Sequence, residues 1–164
     1  MATSSNPPAG YHSVTPALVV RDAAKAIDFY KAAFGAVEVG RMAGPGGTIM
    51  HAEIRIGDSL IMLGEENEAW GSKSPLTLGG SPGSLQIYVP DVDAAFQRAL
   101  DAGATVKSPL EDAFWGDRYG RVTDPFGHDW GLATRVKEMT PEEMQRAGEE
   151  FMAQFAGGAQ GAQA

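Results

Sequence analysis

The chain repeats a pattern once, about 69 residues along, and no other feature constrains its fold as tightly. Ala17-Leu18-Val19-Val20-Arg21-Asp22 runs into an amphipathic stretch over Ala23 to Ala33, then into Phe34-Gly35-Ala36. Leu85-Gln86-Ile87-Tyr88-Val89-Pro90-Asp91 runs into Val92 to Asp101, then into Ala102-Gly103-Ala104. Asp22 and Asp91 stand 69 residues apart, Gly35 and Gly103 68. A strand, an aspartate cap, an amphipathic helix and a glycine stop therefore occur twice. The first helix aligns Ala23, Ile27, Tyr30 and Phe34 on one stripe; the second aligns Val92, Phe96, Ala99 and Leu100. Each aspartate offers a carboxylate to the orphan N–H groups of a first turn, an interaction of ~1 kcal/mol.

Strand signals follow each helix. Thr48 to Ile56 alternates, with Met50, Ala52, Ile54 and Ile56 on one face and His51, Glu53 and Arg55 on the other. Gly57-Asp58 turns the chain into Ser59 to Leu63, and Gly44-Pro45-Gly46-Gly47 reads as a hairpin turn. In the second half, segments near Thr105-Val106, Arg118 to Thr123 and Asp129 to Ala133 surround Asp124-Pro125-Phe126-Gly127. Gly57 and Gly127 lie 70 residues apart, so the hairpin glycines extend the repeat. The unit reads βαβββ, twice, split at Gly79-Gly80-Ser81-Pro82-Gly83. This sets one domain over 11–136, with modules at about 11–78 and 83–136. Thr140-Pro141-Glu142-Glu143 is a capping box that opens a further helix over 139–156, with Met144, Phe151 and Phe155 on a stripe. Residues 1–10 and 157–164 have the composition of disordered ends.

Composition removes several function classes. Net charge is −8, which repels phosphate backbones and anionic lipid surfaces, so neither nucleic acid nor membrane is an expected partner. No apolar run approaches the ~18 residues of a bilayer span. The opening residues lack the basic and apolar regions of a signal peptide, which points to the cytoplasm. With no cysteine there is no thiol nucleophile and no thiolate metal site. No Lys-Ser or Lys-Thr follows the glycines at 44–47, so they are no phosphate loop, and no Gly-x-Ser-x-Gly elbow is present.

The duplicated unit resembles the vicinal oxygen chelate superfamily of glyoxalases, bleomycin-resistance proteins and dioxygenases. The resemblance covers roughly Val14 to Arg135. It rests on Ala26-Ile27-Asp28-Phe29-Tyr30 through Phe34-Gly35-Ala36, and on Asp124-Pro125-Phe126-Gly127-His128 with Trp130. Met50-His51-Ala52-Glu53 followed by Ile56-Gly57-Asp58-Ser59 is similar to its PhnB-like subgroup. The resemblance implies an α+β fold: two βαβββ modules forming a U-shaped mixed sheet, helices on the convex face, a ligand in the concave face, plus the C-terminal helix. It also implies a homodimer, since members commonly complete the pocket from two chains. Metal-dependent members take one His or Glu ligand from each of four strands. Those places fall here near Thr15, Ile61 or Met62, Ser84 and Gly131, which supply no imidazole or carboxylate. No cofactor is expected, and a divalent metal is disfavoured.

Alternation puts His51, Glu53, Arg55, Ser84, Gln86 and Tyr88 on the concave face. His51 and Glu53 are the catalytic candidates. Residues i and i+2 of a strand lie ~6.5–7 Å apart, so they are expected to flank a ligand as separate base and acid, without a direct bond. Ser84, Gln86, Tyr88, Trp115, Arg118 and Tyr119 are the ligand-binding candidates, since aromatic faces beside a cation suit a flat or anionic molecule. His12 reads as solvated and His128 as structural. The expected function is metal-independent small-molecule binding of the bleomycin-resistance type. Two alternatives stay open: a glyoxalase-like lyase or isomerase that moves a proton with His51 or Glu53, and a metal-dependent enzyme should the ligand strands be shifted. A non-catalytic regulatory module would show a filled or flooded concavity.

Overall fold

The structure, a computed structural model, is described for residues 6–158; positions 1–5 and 159–164 of the expected soft ends lie outside the described residues. The first module runs β1 (Ala17–Val20), α1 (Ala23–Phe34), β2 (Val37–Ala43), β3 (Ile49–Ile56) and β4 (Ser59–Glu65). A short helix, α2 (Pro75–Leu78), interrupts the linker. The second module runs β5 (Ser84–Tyr88), α3 (Val92–Asp101), β6 (Thr105–Asp112), β7 (Asp117–Thr123) and β8 (Asp129–Arg135). Each module is a four-stranded mixed sheet, in the orders β1-β4-β3-β2 and β5-β8-β7-β6. β1 pairs in parallel with β4, and β5 with β8. β1 and β5 are thus edge strands.

The caps form as their chemistry requires. Asp22 accepts from Lys25 N and Asp91 from Ala94 N, while Gly35 takes the left-handed conformation that ends α1. Both helices lie on one side of their sheets and bury Ala23, Ile27, Tyr30, Val92, Phe96 and Ala99 in a core shared by the two modules. Tyr30 Oη donates to Asp124 Oδ2 over 2.8 Å, and the Phe34 and Trp130 rings lie 4.8 Å apart, so α1 binds the second module directly.

Strand pairing corrects one spacing. Ala17 pairs with Met62 and Gln86 with Gly131, an offset of 69 in both strands. The counterpart of His128 is therefore Ser59, and that of Trp130 is Ile61. The 70-residue glycine spacing arises because the second hairpin has one more residue in its turn. Ile56 faces Ser59 across Gly57-Asp58, whereas Asp124 bonds His128 across Pro125-Phe126-Gly127.

α4 (Pro141–Gly158) starts at the capping box: Thr140 N donates to Glu143 Oε2 and Glu143 N to Thr140 Oγ1. It packs on its own chain, with the Phe151 ring 5.0 Å from Phe114 in the β6–β7 loop. The Phe155 side chain lies outside the described residues. Among the described residues no helix is long and apolar enough to cross a membrane.

Candidate functional site

The helix-free face of each sheet follows from register. Ala17, Met62 and Glu53 align across the first sheet; Gln86, Gly131 and Arg121 align across the second. Of the two positions considered on β4, Met62 lies on this face, and Ile61 is buried under the helices at 4% exposure.

Three polar side chains join on the first sheet. Tyr11 Oη donates to Glu53 Oε1, and His51 Nε2 lies 3.2 Å from the same oxygen. This corrects the expectation that residues i and i+2 stay apart. Their Cα atoms are separated by the strand rise, but both side chains are long and lean along the strand until their tips meet. The Tyr11 hydroxyl, and after it the imidazole, hold the Glu53 carboxyl below its ordinary value. The same bond raises the Tyr11 phenol. Sequence reasoning missed Tyr11, because it lies in an irregular segment beside the Pro-rich start, where no periodicity marks a facing direction.

A second group forms on the helix-free face of the second sheet. Asp117, 1% exposed, accepts from Tyr88 Oη over 3.0 Å and from Trp115 Nε1 over 2.9 Å, with Arg135 Nε 3.1 Å from its other oxygen. The bond to Asp117 raises the Tyr88 phenol. Tyr119 stacks edge-on to Trp115 at 5.5 Å and reaches toward Gly131. A Cβ at Gly131 would overlap Gln86 Oε1 and lie 3.0 Å from Tyr119 Cε2, so only glycine lets both side chains lie over β8 here.

A cavity of about 600 Å³ occupies the gap between the modules, where the start of β1 approaches the end of β5. Phe34, Ile56, Ile61, Leu85, Ile87 and Trp130 give it apolar walls. Thr15, Ser59, Gln86 and Tyr88 bring polar atoms to it, and His12 and Asp58 lie at its margin.

Of the expected binding residues, Gln86 and Tyr88 line this cavity; Ser84, Trp115 and Tyr119 stay on the second sheet outside it, and His51 and Glu53 on the first. Arg118 is elsewhere. It pairs with Thr134, whose hydroxyl accepts from Val92 N at the start of α3, so Arg118 faces the helix side. There it bonds Asp93 at 2.8 and 2.7 Å and Asp112 at 3.2 Å. The one-residue step from Tyr119 reverses the face, so Arg118, named among the ligand-binding candidates, lies on the opposite side of the sheet from Tyr88.

The residues at the superfamily's ligand positions do not fit a divalent ion. Met62 offers a thioether, Thr15 and Ser84 neutral hydroxyls, and the space beside Gly131 is taken by the Gln86 carboxamide and the Tyr119 ring. Among the described residues, no three His, Asp or Glu side chains form a metal-binding group.

Comparisons with known proteins agree with the fold. Residues 11–132 match the family model described as the Glyoxalase/Bleomycin resistance protein/Dioxygenase superfamily. The uncharacterized protein Rv0887c of Mycobacterium tuberculosis is 53% identical over 138 residues, 82% of this chain and 81% of that relative. The crystal structure of TioX from Micromonospora sp. ML1 is 30% identical, with a TM-score of 0.58, covering 77% of this chain and 98% of that one. The PhnB protein of Bacillus cereus, 20% identical with a TM-score of 0.59 over 75% of this chain and 99% of its own, shares the fold.

Proposed function

We propose, starting from the fact that this chain belongs to the Glyoxalase/Bleomycin resistance protein/Dioxygenase superfamily, that it is a metal-independent small-molecule-binding protein. The cavity between the modules carries this reading. About 600 Å³ of space with apolar walls and a few polar groups has the size and lining of a site for one small organic molecule. The half-buried Phe34 ring, with Trp130 buried behind it, suits a flat or aromatic ligand, and Gln86 and Tyr88 orient its polar part. The donor set described above supports binding without a metal. A net charge of −8 favours neutral or cationic ligands over anions.

The test is occupancy of the cavity. Titration with the neutral apolar dye Nile red, followed by thermal-shift screening of aromatic metabolites and bleomycin, should reveal saturable binding that raises Tm. Ile87→Trp should fill the space and weaken dye binding at least about tenfold with the fold intact. Unchanged binding by that variant would sink the reading. In the same reading two copies associate, because the outer strand β2 exposes Val37, Val39 and Met42 at 51–54%. Sedimentation showing monomer alone at micromolar concentration would refute that part.

One observation favours a second reading, a glyoxalase-like lyase or isomerase. Tyr11, Glu53 and His51 form a hydrogen-bonded chain on the helix-free face. With its carboxyl held low, Glu53 is ionised at neutral pH and would orient His51 as the proton acceptor. Glu53→Gln that abolishes a measured turnover while sparing ligand affinity would favour this enzyme; loss of both together would favour capture.

A further inference from the structure

The cavity has a second property besides its apolar walls: it wraps a free strand edge. Residues of a parallel strand present both backbone groups to one side, alternately. Met62 N donates to Pro16 O and Glu66 N to Val20 O, so Pro16, Leu18 and Val20 bond β4, while Thr15, Ala17 and Val19 face the gap. Val89 N donates to Ala133 O, so Leu85, Ile87 and Val89 bond β8, while Ser84, Gln86 and Tyr88 face the gap. One of these outward groups shows what the gap requires. Val19 O lies 3.0 Å from His128 Nε2, a side chain reaching across from the other module.

The counterpart of Val19 at offset 69 is Tyr88, and that of His128 is Ser59. The Ser59 hydroxyl instead donates to its neighbour Asp58 Oδ1 at 2.9 Å. Among the hydrogen bonds of the described residues, none reaches the backbone N–H or C=O of Gln86 or Tyr88. Both residues line the cavity, against Phe34, Ile61 and Trp130. Backbone amides beside apolar walls gain most from a partner that is itself an amide.

We propose that the cavity is a slot for an N-acylamino acid amide carrying an aromatic or branched apolar side chain, the N–H and C=O that an extended residue presents to one side pairing with the free edge of β5. This rests on the cavity being the ligand site, and it names the chemical class that the site selects. The ligand adds a short strand segment beside Gln86 and Tyr88, as an extended peptide adds to a sheet edge, while its apolar group packs toward Phe34 and Trp130. An extended acylamino residue satisfies donor and acceptor at once. Esters and carboxylates leave the edge carbonyl unpaired, and hydrocarbons leave both edge groups unpaired.

The test uses two matched probes on the full chain, N-acetyl-L-phenylalanine methylamide and its ester analogue, in which oxygen replaces the phenylalanine N–H, with the neutral dye Nile red as a probe of the cavity alone. The acylamino probe should bind about fivefold or more tightly than the ester, in keeping with one hydrogen bond. In nitrogen-15 correlation spectra it should move the Gln86 and Tyr88 amide protons downfield and slow their exchange. Gln86→Pro removes one outward N–H at an edge position where proline leaves the β8 ladder intact, and should erase the preference. Should that variant not fold, the spectra of the unaltered chain decide. Equal affinity of amide and ester, with unmoved Gln86 and Tyr88 signals and persistent dye binding, would overturn the slot and leave the cavity reading standing. Absence of binding by all three probes, dye included, would overturn both.

Discussion

The two hairpin corners that face the gap between modules share one backbone plan and end in opposite states. At the second module's corner, Asp124 accepts from Tyr30 Oη, Trp130 Nε1, Phe126 N and His128 N, all between 2.8 and 2.9 Å, and the His128 ring reaches Val19 O. At the first module's corner the counterparts are Ile56, Ser59 and Ile61, and all three line the cavity. Opposite them on the helices, α1 brings Tyr30, whose counterpart on α3 is Ala99. One corner is thus filled by large aromatic side chains around a buried carboxylate; the other is built of smaller side chains and stays hollow. Duplication supplied two equivalent edges, and side-chain volume closed one of them and left the other beside a cavity.

The largest test breaks the filled corner. Asp124→Ala removes the shared acceptor of four donors, two of them buried aromatic side chains, and should destabilise the chain by about 3–5 kcal/mol in urea unfolding. A loss under about 1 kcal/mol would mean that the corner does not depend on this carboxylate. Next, Gly131→Ala should lose about 1–3 kcal/mol, because the added Cβ overlaps Gln86 Oε1. Its counterpart Met62, half-buried, should accept alanine within about 1 kcal/mol, and equal effects would show that the two helix-free faces are packed alike.

Making the corners alike gives two smaller effects. His128→Ser should lose about 1 kcal/mol with its bond to Val19 O and raise the number of dye sites per chain. Ser59→His, the reverse change, should alter stability by no more than about 0.5 kcal/mol while weakening dye binding about tenfold. A dye isotherm that ignores both substitutions would place the dye outside the gap. The smallest effect is on acid sensitivity. In the first module, Glu66 is held at about 2 against an ordinary 4.5 by the hydroxyl and amide donors of Ser74 and Thr77. Between those values the unfolded chain binds more protons, so this contribution is intact above pH 4.5 and fades as pH falls toward about 2. Glu66→Gln should flatten that acid slope, and hydrogen exchange near pH 3 should show 66–78 opening first; an unchanged slope would refute it.

Local chemistry made much of this fold legible. Asp22 and Asp91 cap helices because a short carboxylate reaches the first-turn N–H groups wherever the helix later packs. The alternation over β3 and β5 has a period of two, and a sheet covered on one side has only one way to satisfy it. By contrast β2 was implied only through the glycine turn at 44–47. Six of its seven residues, Val37-Glu38-Val39-Gly40-Arg41-Met42-Ala43, are exposed, so no burial pattern was imprinted there. The geometry of the candidate site was legible in part. Alternation gave the phase of Gln86 and Tyr88, which line the cavity, while Arg118 lies on the other face because a loop, Phe114-Trp115-Gly116, sets the phase of β7 and no periodicity crosses it.

The sequence alone determined the duplicated units and the helix caps and faces, because each depends on residues close in the chain. Tertiary structure decided the rest. It brought Tyr11 to Glu53 across 42 residues, Tyr30 to Asp124 across 94 and His128 to Val19 across 109. It also left the gap beside β5 unfilled. Such contacts depend on how distant segments and the two sheets dock, and docking is set by the summed volumes of side chains far apart in sequence, which no local pattern records.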